Sequence, residues 1–501
     1  MSTELKQRPA VASTHLPHMS NQEPECPKAL WLFCALAPAA GSVGAGRGLT
    51  VSVAWLCARG ARGQRRRELI PHPFFPMSSS LSGLGRVVLV ALSLHLALVA
   101  APARAWRFAL GEAPAAADAV RVASGDIYTA ARGYGFEPGA VPALAAKGGG
   151  LSSERPFVFS VQVPEGSYRV TVVLGGGAAA SDTTIKAELR RLMVEGVRTA
   201  PGEVATRTFN VNVRTPQFGD GAKVRLKERE LTTEFVNWDD KLTLEFNGPR
   251  PVVRTIELTP LTDAVTVYLL GDSTVCDQPK EPWNSWGQML PRFLGPGVVV
   301  ANHAESGESL RSSLGARRLD KVLSTLRRGD YLFLQYGHND MKEKGEGVGA
   351  FTTYQADLRR FVVAARAAGG IPVLVTSMHR KSLDAAGKIQ NTLGDYPAAV
   401  RALAVAEHVA LIDLHAMSGR LYEALGPAQI GAAFQDGTHH NNYGSYELAK
   451  CIVAGVRAAG LPLAKHLVAE VPEFDPARPD AVASFVMPAS PQATTLKPDG
   501  S

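Results

Sequence analysis

A serine, an aspartate and a histidine occur in settings that would suit a nucleophile and its base. Ser273 follows an apolar stretch, residues 265–270, after a sharp turn at Gly271. A hydroxyl delivered at the end of a buried strand is a nucleophile that needs only a base. Asp436 and His439 lie three residues apart in a segment expected to open a helix, so both side chains would share one helical face. Since a carboxylate in that position orients an imidazole, the chain is predicted to be a serine hydrolase.

The net charge of +7 over 501 residues is concentrated at the front of the chain. Residues 106–501 are balanced, with 42 Lys and Arg against 42 Asp and Glu. A neutral body offers no basic surface for nucleic acid, so no nucleic-acid partner is expected. The length suffices for two or three domains, and the sequence indicates no particular oligomeric state.

The first 105 residues are predicted to be absent from the mature protein. Residues 77–105 have the form of a signal peptide, with an apolar run at 87–101 and the small-x-small motif Ala103-Arg104-Ala105 before the expected cleavage. The run is shorter than the roughly 20 residues of a membrane span, so no stable span is expected after cleavage, although an uncleaved anchor is the alternative. Residues 1–76 are predicted to be a spurious or disordered extension. The protein is therefore expected to be secreted or periplasmic.

Only two cysteines, Cys276 and Cys451, remain after residue 105. One bridge between them is possible, but two buried free thiols are the favoured interpretation. The sequence has no Cys-x-x-Cys motif and no histidine cluster at metal-ligand spacing. Neither a metal nor a cofactor is expected.

Residues 106–263 show the period of two that is typical of half-buried antiparallel strands. We expect an all-β sandwich that binds or supports rather than catalyses. Its aromatic residues, if exposed, would suit stacking on sugar rings; alternatively, they fill the sandwich and its contact with the next domain. The alternating runs are residues 157–163, 166–172, 206–213 and 241–246, and the aromatic residues are Tyr128, Tyr134, Phe136 and Trp238.

Residues 264–467 change to an α/β pattern, and residues 468–501 to a proline-rich one. Short apolar runs separated by helices, among them residues 354–368 and 397–406, predict a parallel five-stranded sheet with ligands beyond its carboxyl ends. The prolines predict an extended tail that lies along the body or is disordered. The apolar runs are residues 265–270, 298–301, 331–334, 371–376 and 409–412.

Four blocks carry the polar residues of the α/β region: Gly271-Asp272-Ser273, Asn302-x-Ala304-x-x-Gly307-x-Ser309, Gly337-His338-Asn339-Asp340 and Asp436-x-x-His439. In this order they resemble the SGNH (GDSL-like) hydrolase superfamily and, within it, the rhamnogalacturonan acetylesterases of carbohydrate esterase family 12. The resemblance implies a three-layer, flavodoxin-like hydrolase domain behind an all-β galactose-binding-like sandwich. It also implies an exported esterase that removes O-acetyl groups from pectic rhamnogalacturonan through an acetyl-serine intermediate, with an acetylated polysaccharide as substrate.

The resemblance assigns a role to each block. Ser273 is the nucleophile, His439 is the base, and Asp436 orients the base. The backbone N–H groups of Ser273 and Gly307 and the side-chain amide of Asn339 form the oxyanion hole. The candidate substrate contacts are His379, Arg380 and His440.

Simpler roles exist for the same residues, and rival functions exist for the chain. Ser273 or Asp436 would suit a helix cap, and Gly307 a backbone with positive φ. His440 adjoins His439 and is an alternative base, a substrate neighbour or an exposed residue. The rival functions are an acetylesterase for xylan or another acetylated glycan, and a non-catalytic glycan-binding protein. Because all four blocks are intact, the enzyme is favoured over the binding protein.

Overall fold

The computed structural model describes residues 105–147 and 149–499. The predicted extension, residues 1–76, and the predicted signal peptide up to residue 104 lie outside the described residues. All described residues fall within one compact unit of the chain. None of the helices formed by these residues is long and apolar enough to cross a membrane.

The first part of the described chain is a β-region, in whose strands buried and more exposed side chains tend to alternate. Along Phe157–Gln162 the side chains of Phe157, Phe159 and Val161 are buried, whereas Gln162 is exposed. The strands of this region are β1 (Trp106–Leu110), β2 (Val120–Val122), β3 (Tyr134–Phe136), β4 (Ala143–Leu144), β5 (Leu151–Ser152), β6 (Phe157–Gln162), β7 (Gly166–Gly175), β8 (Ser181–Ala187), β9 (Arg191–Thr199), β10 (Val204–Val213), β11 (Gln217–Phe218), β12 (Ala222–Lys223), β13 (Lys241–Asn247) and β14 (Val252–Pro260), with one helix, α1 (Glu228–Thr232).

Two large sheets and the two-stranded pair β11-β12 form this region. One follows the order β10-β7-β14-β1-β2, with β5 pairing β14 and β4 pairing β5, and the other follows the order β3-β6-β13-β8-β9. Their inward side chains form one apolar core, in which the rings of Phe157 and Phe246 stack at 5.3 Å. Phe136 and Trp238 are buried, 0% and 7% exposed, so of the two alternatives that the sequence left open, stacking on sugar rings is excluded for these two residues. These two aromatic residues fill the protein interior.

The second part of the described chain is an α/β region with one parallel sheet. Its strands have the order β16-β15-β17-β18-β19, which is the order 2-1-3-4-5 of doubly wound flavodoxin-like sheets. The elements are β15 (Val265–Gly271), α2 (Trp286–Met289), β16 (Val298–Asn302), α3 (Leu310–Gly315), α4 (Arg318–Thr325), β17 (Tyr331–Gln335), α5 (Gln355–Ala367), β18 (Ile371–Val375), α6 (Tyr396–Ala406), β19 (Ala410–Ile412), α7 (Leu414–Gln429) and α8 (Asn442–Ala458).

Burial on both faces of this sheet explains the lack of alternation in its strands. Val267 and Leu269 of β15 join a core on the side of α8, whereas Tyr268 and Leu270 join a separate core on the side of α5 and α6. Every side chain of the strand centre is therefore apolar. The result is a three-layer arrangement whose carboxyl edge collects the polar blocks.

The β-region and the α/β region are joined by buried ion pairs. Arg191 pairs with Asp277 at 2.6 Å, and Arg318 pairs with Glu230 at 2.7 Å. All four side chains are at most 2% exposed. Each pair has one partner in each region, so separating the two regions would break both ion pairs.

The proline-rich tail lies along the body, one of the two arrangements that the sequence left open. The backbone of Glu281 accepts a hydrogen bond from Thr494 N–H at 2.8 Å and donates one to Gln492 at 2.9 Å. Asp499 pairs with Arg229 at 2.8 Å. The tail is thereby tied to a loop of the α/β region and to α1.

Candidate active site

Ser273 lies in a tight turn directly after β15. A side chain at Gly271, the last residue of β15, would place its Cβ 2.7 Å from the carbonyl oxygen of Gln335 on β17, so the strand end admits only glycine. The carboxylate of Asp272 accepts hydrogen bonds from the backbone N–H of Thr274 at 3.0 Å and from its hydroxyl at 2.7 Å, which closes the turn. Ser273 therefore does not cap a helix. It lies at the carboxyl edge of the sheet, beside the switch point between β15 and β17.

Three side chains form one hydrogen-bonded chain. His439 Nε2 lies 2.8 Å from Ser273 Oγ, and His439 Nδ1 lies 2.9 Å from Asp436 Oδ2. Ser273 and His439 are 2% and 1% exposed. The carboxylate accepts the Nδ1 proton, so Nε2 presents its lone pair to the serine hydroxyl. This is the geometry in which an imidazole removes a proton from serine.

The approach of Asp436 to His439 is made by a loop, and the predicted helical face is wrong. Helix α8 begins later, with Asn441 as its N-cap, accepting the backbone N–H of Gly444 at 3.0 Å. In the loop, Asp436 Oδ1 accepts the backbone N–H groups of Thr438 and His439, each at 2.6 Å. One carboxylate thus closes the loop with one oxygen and orients the imidazole with the other.

The hydrogen bonds to Asp436 keep its carboxyl ionised. Burial alone would raise the pKa of Asp436, but the His439 side chain and the backbone N–H groups of His439 and Thr438 outweigh burial and hold the pKa well below its ordinary value. A carboxylate that stays charged at neutral pH stabilises the imidazolium formed when His439 takes a proton.

Trp283 packs on His439, the candidate base, and nothing in the sequence pattern indicated this contact. Its ring meets the His439 ring edge-to-face at 5.9 Å. Arg190 of the β-region donates to the Trp283 carbonyl at 3.0 Å, and the Trp283 indole N–H donates to the Thr494 carbonyl at 3.3 Å. Both the β-region and the tail therefore help to hold the loop that supports His439.

The second and third blocks lie close to the serine turn. Gln278 Nε2 donates to the Ser273 carbonyl at 2.7 Å and to Ser306 Oγ at 3.3 Å, linking the serine turn to the residue before Gly307. Asn339 Nδ2 donates to the Glu308 carbonyl at 3.0 Å, which uses one of its two hydrogens. The structure thus gathers Ser273, Gly307 and Asn339 at one edge of the sheet.

Gly307 and Asn339 have the properties that an oxyanion donor needs. Gly307 has a φ of 75°, a conformation that favours glycine. The Asn339 side chain is 8% exposed, and Lys342 donates to its Oδ1 at 3.4 Å, which fixes which end of the amide donates. An amide supplies a hydrogen-bond donor without adding a charge.

A buried contact between His338 and Asp272 under the serine turn is a feature that the sequence did not reveal. His338 Nδ1 lies 3.2 Å from Asp272 Oδ2, and His338 Nε2 lies 3.2 Å from the Met378 carbonyl. Burial raises the pKa of Asp272, but the charge and hydrogen bond of His338 outweigh burial and lower it. Because both ring nitrogens lie at hydrogen-bond distance from atoms of the protein, His338 is an orienting partner of the turn and offers no free nitrogen to a substrate.

Arg380, a predicted substrate contact, lies beside the loop that carries Asp436 and His439. Its Nε donates to Thr438 Oγ1 at 3.2 Å, and its Nη2 donates to the His338 carbonyl at 3.3 Å. Burial lowers its pKa, and the charge of Asp272 opposes that effect. Among the described residues no carboxylate lies within 4 Å of its guanidinium nitrogens. A half-buried cation without an ion-pair partner thus adjoins the triad.

The two other predicted contacts, His379 and His440, are core residues. The His440 ring is 1% exposed, bonds Tyr422 through Nε2 at 2.7 Å and packs on Phe434 at 4.2 Å, so the expectation of an exposed residue or an alternative base is wrong. Burial, followed by the charge of His439, lowers its pKa to about 3. The His379 ring is 6% exposed and packs at 3.6 Å on His415. The hydrophobic pattern of the sequence did not indicate that either ring is buried.

The two cysteines are free and buried, as the favoured interpretation of the sequence predicted. Burial raises the pKa of the Cys276 thiol to about 12, so this thiol is unreactive at neutral pH. Within residues 105–147 and 149–499, no group of three or more His, Cys, Asp and Glu side chains is arranged to hold a metal ion.

Comparisons with known proteins agree on one family. The GDSL-like lipase/acylhydrolase family matches residues 269–445. The rhamnogalacturonan acetylesterase RhgT of Bacillus subtilis (strain 168) is 39% identical over 221 residues, which are 41% of this chain and 94% of that protein. The uncharacterized esterase YxiM of the same organism is 30% identical over 383 residues, 72% of this chain and 93% of that protein. A crystal structure of YxiM is 24% identical over 72% of this chain and 99% of its own, with a TM-score of 0.41.

Proposed function

The chain belongs to the GDSL-like lipase/acylhydrolase family and is a carbohydrate acetylesterase, and we propose that it removes O-acetyl groups from pectic rhamnogalacturonan outside the cytoplasm. The observation that supports this chemistry is the hydrogen-bonded triad of Ser273, His439 and Asp436. His439 Nε2 lies 2.8 Å from Ser273 Oγ, and His439 Nδ1 lies 2.9 Å from Asp436 Oδ2. The observation that favours a pectic substrate is Arg380, an unpaired cation beside this triad.

The reaction proceeds through an acetyl-serine intermediate. Ser273 Oγ attacks the acetyl carbonyl carbon while His439 Nε2 takes the hydroxyl proton, and Asp436 stabilises the imidazolium. His439 then returns the proton to the sugar oxygen as the ester bond breaks. Water attacks the acetyl-serine in turn, with His439 taking and returning a proton, and acetate leaves.

The negative oxygen of each tetrahedral intermediate is held by three donors. They are the backbone N–H groups of Ser273 and Gly307 and the Asn339 amide, whose second hydrogen is not used by Glu308. In a buried site each donor contributes about 3 to 4 kcal/mol of transition-state stabilisation.

An anionic polymer suits the surroundings of the triad. The guanidinium of Arg380 is fixed by hydrogen bonds but meets no carboxylate among the described residues, so a uronate carboxylate would supply its missing partner. A xylose backbone carries no such charge. A relative named rhamnogalacturonan acetylesterase, at 39% identity, and one named probable rhamnogalacturonan acetylesterase, at 33%, support the same choice.

Export belongs to the same proposal. A pectic polysaccharide is too large to cross a membrane unaided, so an enzyme that acts on the polymer must meet it outside the cytoplasm. The apolar run and the Ala103-Arg104-Ala105 motif support a signal peptide. We also propose that the two-sheet β-region is galactose-binding-like, since its sheets form an all-β sandwich in front of the hydrolase.

Acetate release from a substrate panel tests the proposal. We expect higher kcat/KM on acetylated rhamnogalacturonan than on acetylated xylan. Arg380→Gln should lower kcat/KM on the pectic substrate about tenfold while changing turnover of a small neutral acetyl ester less than about twofold. The matched control is Lys388→Gln in the same loop, because Lys388 already pairs with Glu423 at 3.0 Å. A preference for xylan, or equal losses in both variants, would refute the pectic assignment.

A further inference from the structure

The segment 281–284 supports the proposed base, His439, from one side. The backbone N–H of Asn284 donates to the His440 carbonyl at 3.0 Å, so the segment runs beside the residue that follows the base. Trp283, one residue earlier, packs its ring on the His439 ring at 5.9 Å. A displacement of the segment would therefore move the surface on which the imidazole rests.

The carboxylate of Glu281 joins this segment to the β-region and to the proline-rich tail. Its Oε1 pairs with Arg190 at 2.6 Å and lies 3.5 Å from Lys186 Nζ, and both cations belong to the β-region. The same oxygen accepts the backbone N–H of Ser490 in the tail at 3.0 Å. Glu281 is 6% exposed. Burial would raise its pKa, but the charges of Arg190 and Lys186 outweigh burial and lower it, so the carboxyl is ionised at neutral pH.

The second oxygen of Glu281 ends a hydrogen-bond chain whose direction is fixed. The backbone N–H of Ser285 can only donate, and it donates to Asn284 Oδ1 at 2.8 Å. Asn284 Nδ2 then donates to Asn442 Oδ1 at 2.8 Å, and Asn442 Nδ2 donates to Glu281 Oε2 at 3.1 Å. Since each amide has one accepting oxygen and one donating nitrogen, the chain closes only on an atom that accepts, and a carboxylate oxygen is such an atom.

Asn442 brings this hydrogen-bond chain to the loop that carries the base. It is the first residue of α8 and lies three residues after His439. Its side chain and the His440 carbonyl both bond to Asn284, so the start of α8 and the base loop are tied to the same residue. Glu281 is therefore connected to the imidazole through these two asparagines.

We propose that Glu281 is a positioning residue whose carboxylate couples the β-region and the tail to the orientation of His439. This inference rests on the proposed function, because it gives Glu281 a part in the same triad. The β-region then does more than bind or support, since Arg190 and Lys186 hold the carboxylate on which the hydrogen-bond chain ends. Full turnover requires that both oxygens of Glu281 accept hydrogen bonds.

Reversing the hydrogen bonds tests the proposal. In Glu281→Gln the amide oxygen stays with Arg190 and Ser490, so the amide nitrogen faces Asn442 Nδ2 and two donors meet. We expect kcat on 4-nitrophenyl acetate to fall at least about tenfold with little change in KM, because a small displacement of the base slows proton transfer without weakening substrate binding. Adding Asn442→Asp should restore kcat to within about threefold, since the new carboxylate accepts from both neighbouring amides.

Stability separates positioning from simple support. The double variant moves the negative charge away from Arg190 and Lys186, so its melting temperature should stay below that of the unmodified protein although kcat recovers. The matched control is Glu195→Gln. Glu195 also joins the β-region to α8, accepting the Tyr446 hydroxyl at 2.8 Å, and it is not part of the hydrogen-bond chain. This control should keep kcat within about twofold of the unmodified enzyme.

A milder variant keeps the test decisive if Glu281→Gln does not fold. Asn442→Ala, at a half-buried position, removes the hydrogen-bond chain and leaves Glu281 in place, and it should lower kcat at least about fivefold with little change in KM. Unchanged kcat in Glu281→Gln or Asn442→Ala would overturn the proposal. A double variant that folds and stays as slow as Glu281→Gln would overturn it as well.

A measurement that needs no turnover distinguishes this proposal from the proposed function. Because the Trp283 ring shifts the NMR signals of the His439 ring protons, those signals should move in Glu281→Gln and return toward their original positions in the double variant. Signals that do not move would overturn the positioning role. Signals that behave as expected in a chain that releases no acetate would remove only the proposed function.

Discussion

Replacing Asp436 with Asn separates two tasks that one carboxylate performs. The Asn oxygen can still accept the two backbone N–H groups that Asp436 Oδ1 accepts at 2.6 Å, so the loop stays closed. Its amide nitrogen, however, replaces Oδ2 and donates toward His439 Nδ1, 2.9 Å away. His439 must then carry its proton on Nε2, where it cannot accept one from Ser273. We expect kcat to fall by about 10⁴, or about 5.4 kcal/mol.

The assay is hydrolysis of 4-nitrophenyl acetate together with acetate release from polysaccharide. The matched control is Asp384→Asn, because Asp384 closes an exposed loop in the same way, accepting the backbone N–H groups of Ala386 and Lys388 at 2.9 and 2.8 Å. That control should keep full activity. If the kcat of Asp436→Asn stays within about tenfold of that of the unmodified enzyme, Asp436 does not set the tautomer of His439, and the reasoning is refuted.

Two further predictions concern the oxyanion hole and the pH dependence of stability. Asn339→Ala should lower kcat by about 10² to 10³ with little change in KM, measured on the same two substrates, and an unchanged kcat would remove Asn339 from the oxyanion hole. Burial raises the pKa of Glu188 from 4.5 to about 8, against the opposing charge of Arg191. The folded state therefore holds an extra proton between those values, and stability falls as pH rises through that window by up to about 1.4 kcal/mol per pH unit. The melting temperature of Glu188→Gln should fall less steeply with rising pH than that of the unmodified protein. Equal slopes in the two proteins would contradict this prediction.

Most of the parallel sheet could be predicted from the sequence because each of its strands is buried on both faces. The apolar run at 331–334 became β17 (Tyr331–Gln335), and that at 371–376 became β18 (Ile371–Val375). Such runs admit few polar residues, so their limits are visible in composition alone. The helices at 354–368 and 397–406 agree with α5 and α6 to within about one residue.

The loop that carries Asp436 and His439, and the contacts that hold Trp283 against it, could not be predicted in the same way. Asp436 and His439 have helical spacing, yet backbone hydrogen bonds to Asp436 select a loop over a helix, a competition that spacing does not reveal. Trp283 reaches His439 through contacts with Arg190 and Thr494, which lie 93 and 211 residues away. Such features depend on tertiary contacts that no local pattern encodes.

The most direct test of the central claim is the fate of the acetyl group at Ser273. Mass spectrometry of enzyme quenched during turnover should find one acetyl group on the peptide that contains Ser273. Ser273→Ala should lose this adduct and slow acetate release by at least about 10⁴. Ser382→Ala, whose hydroxyl donates to Gln390 Oε1 at 2.9 Å, should retain the adduct and the full rate of acetate release. Undiminished acetate release by Ser273→Ala would contradict the account.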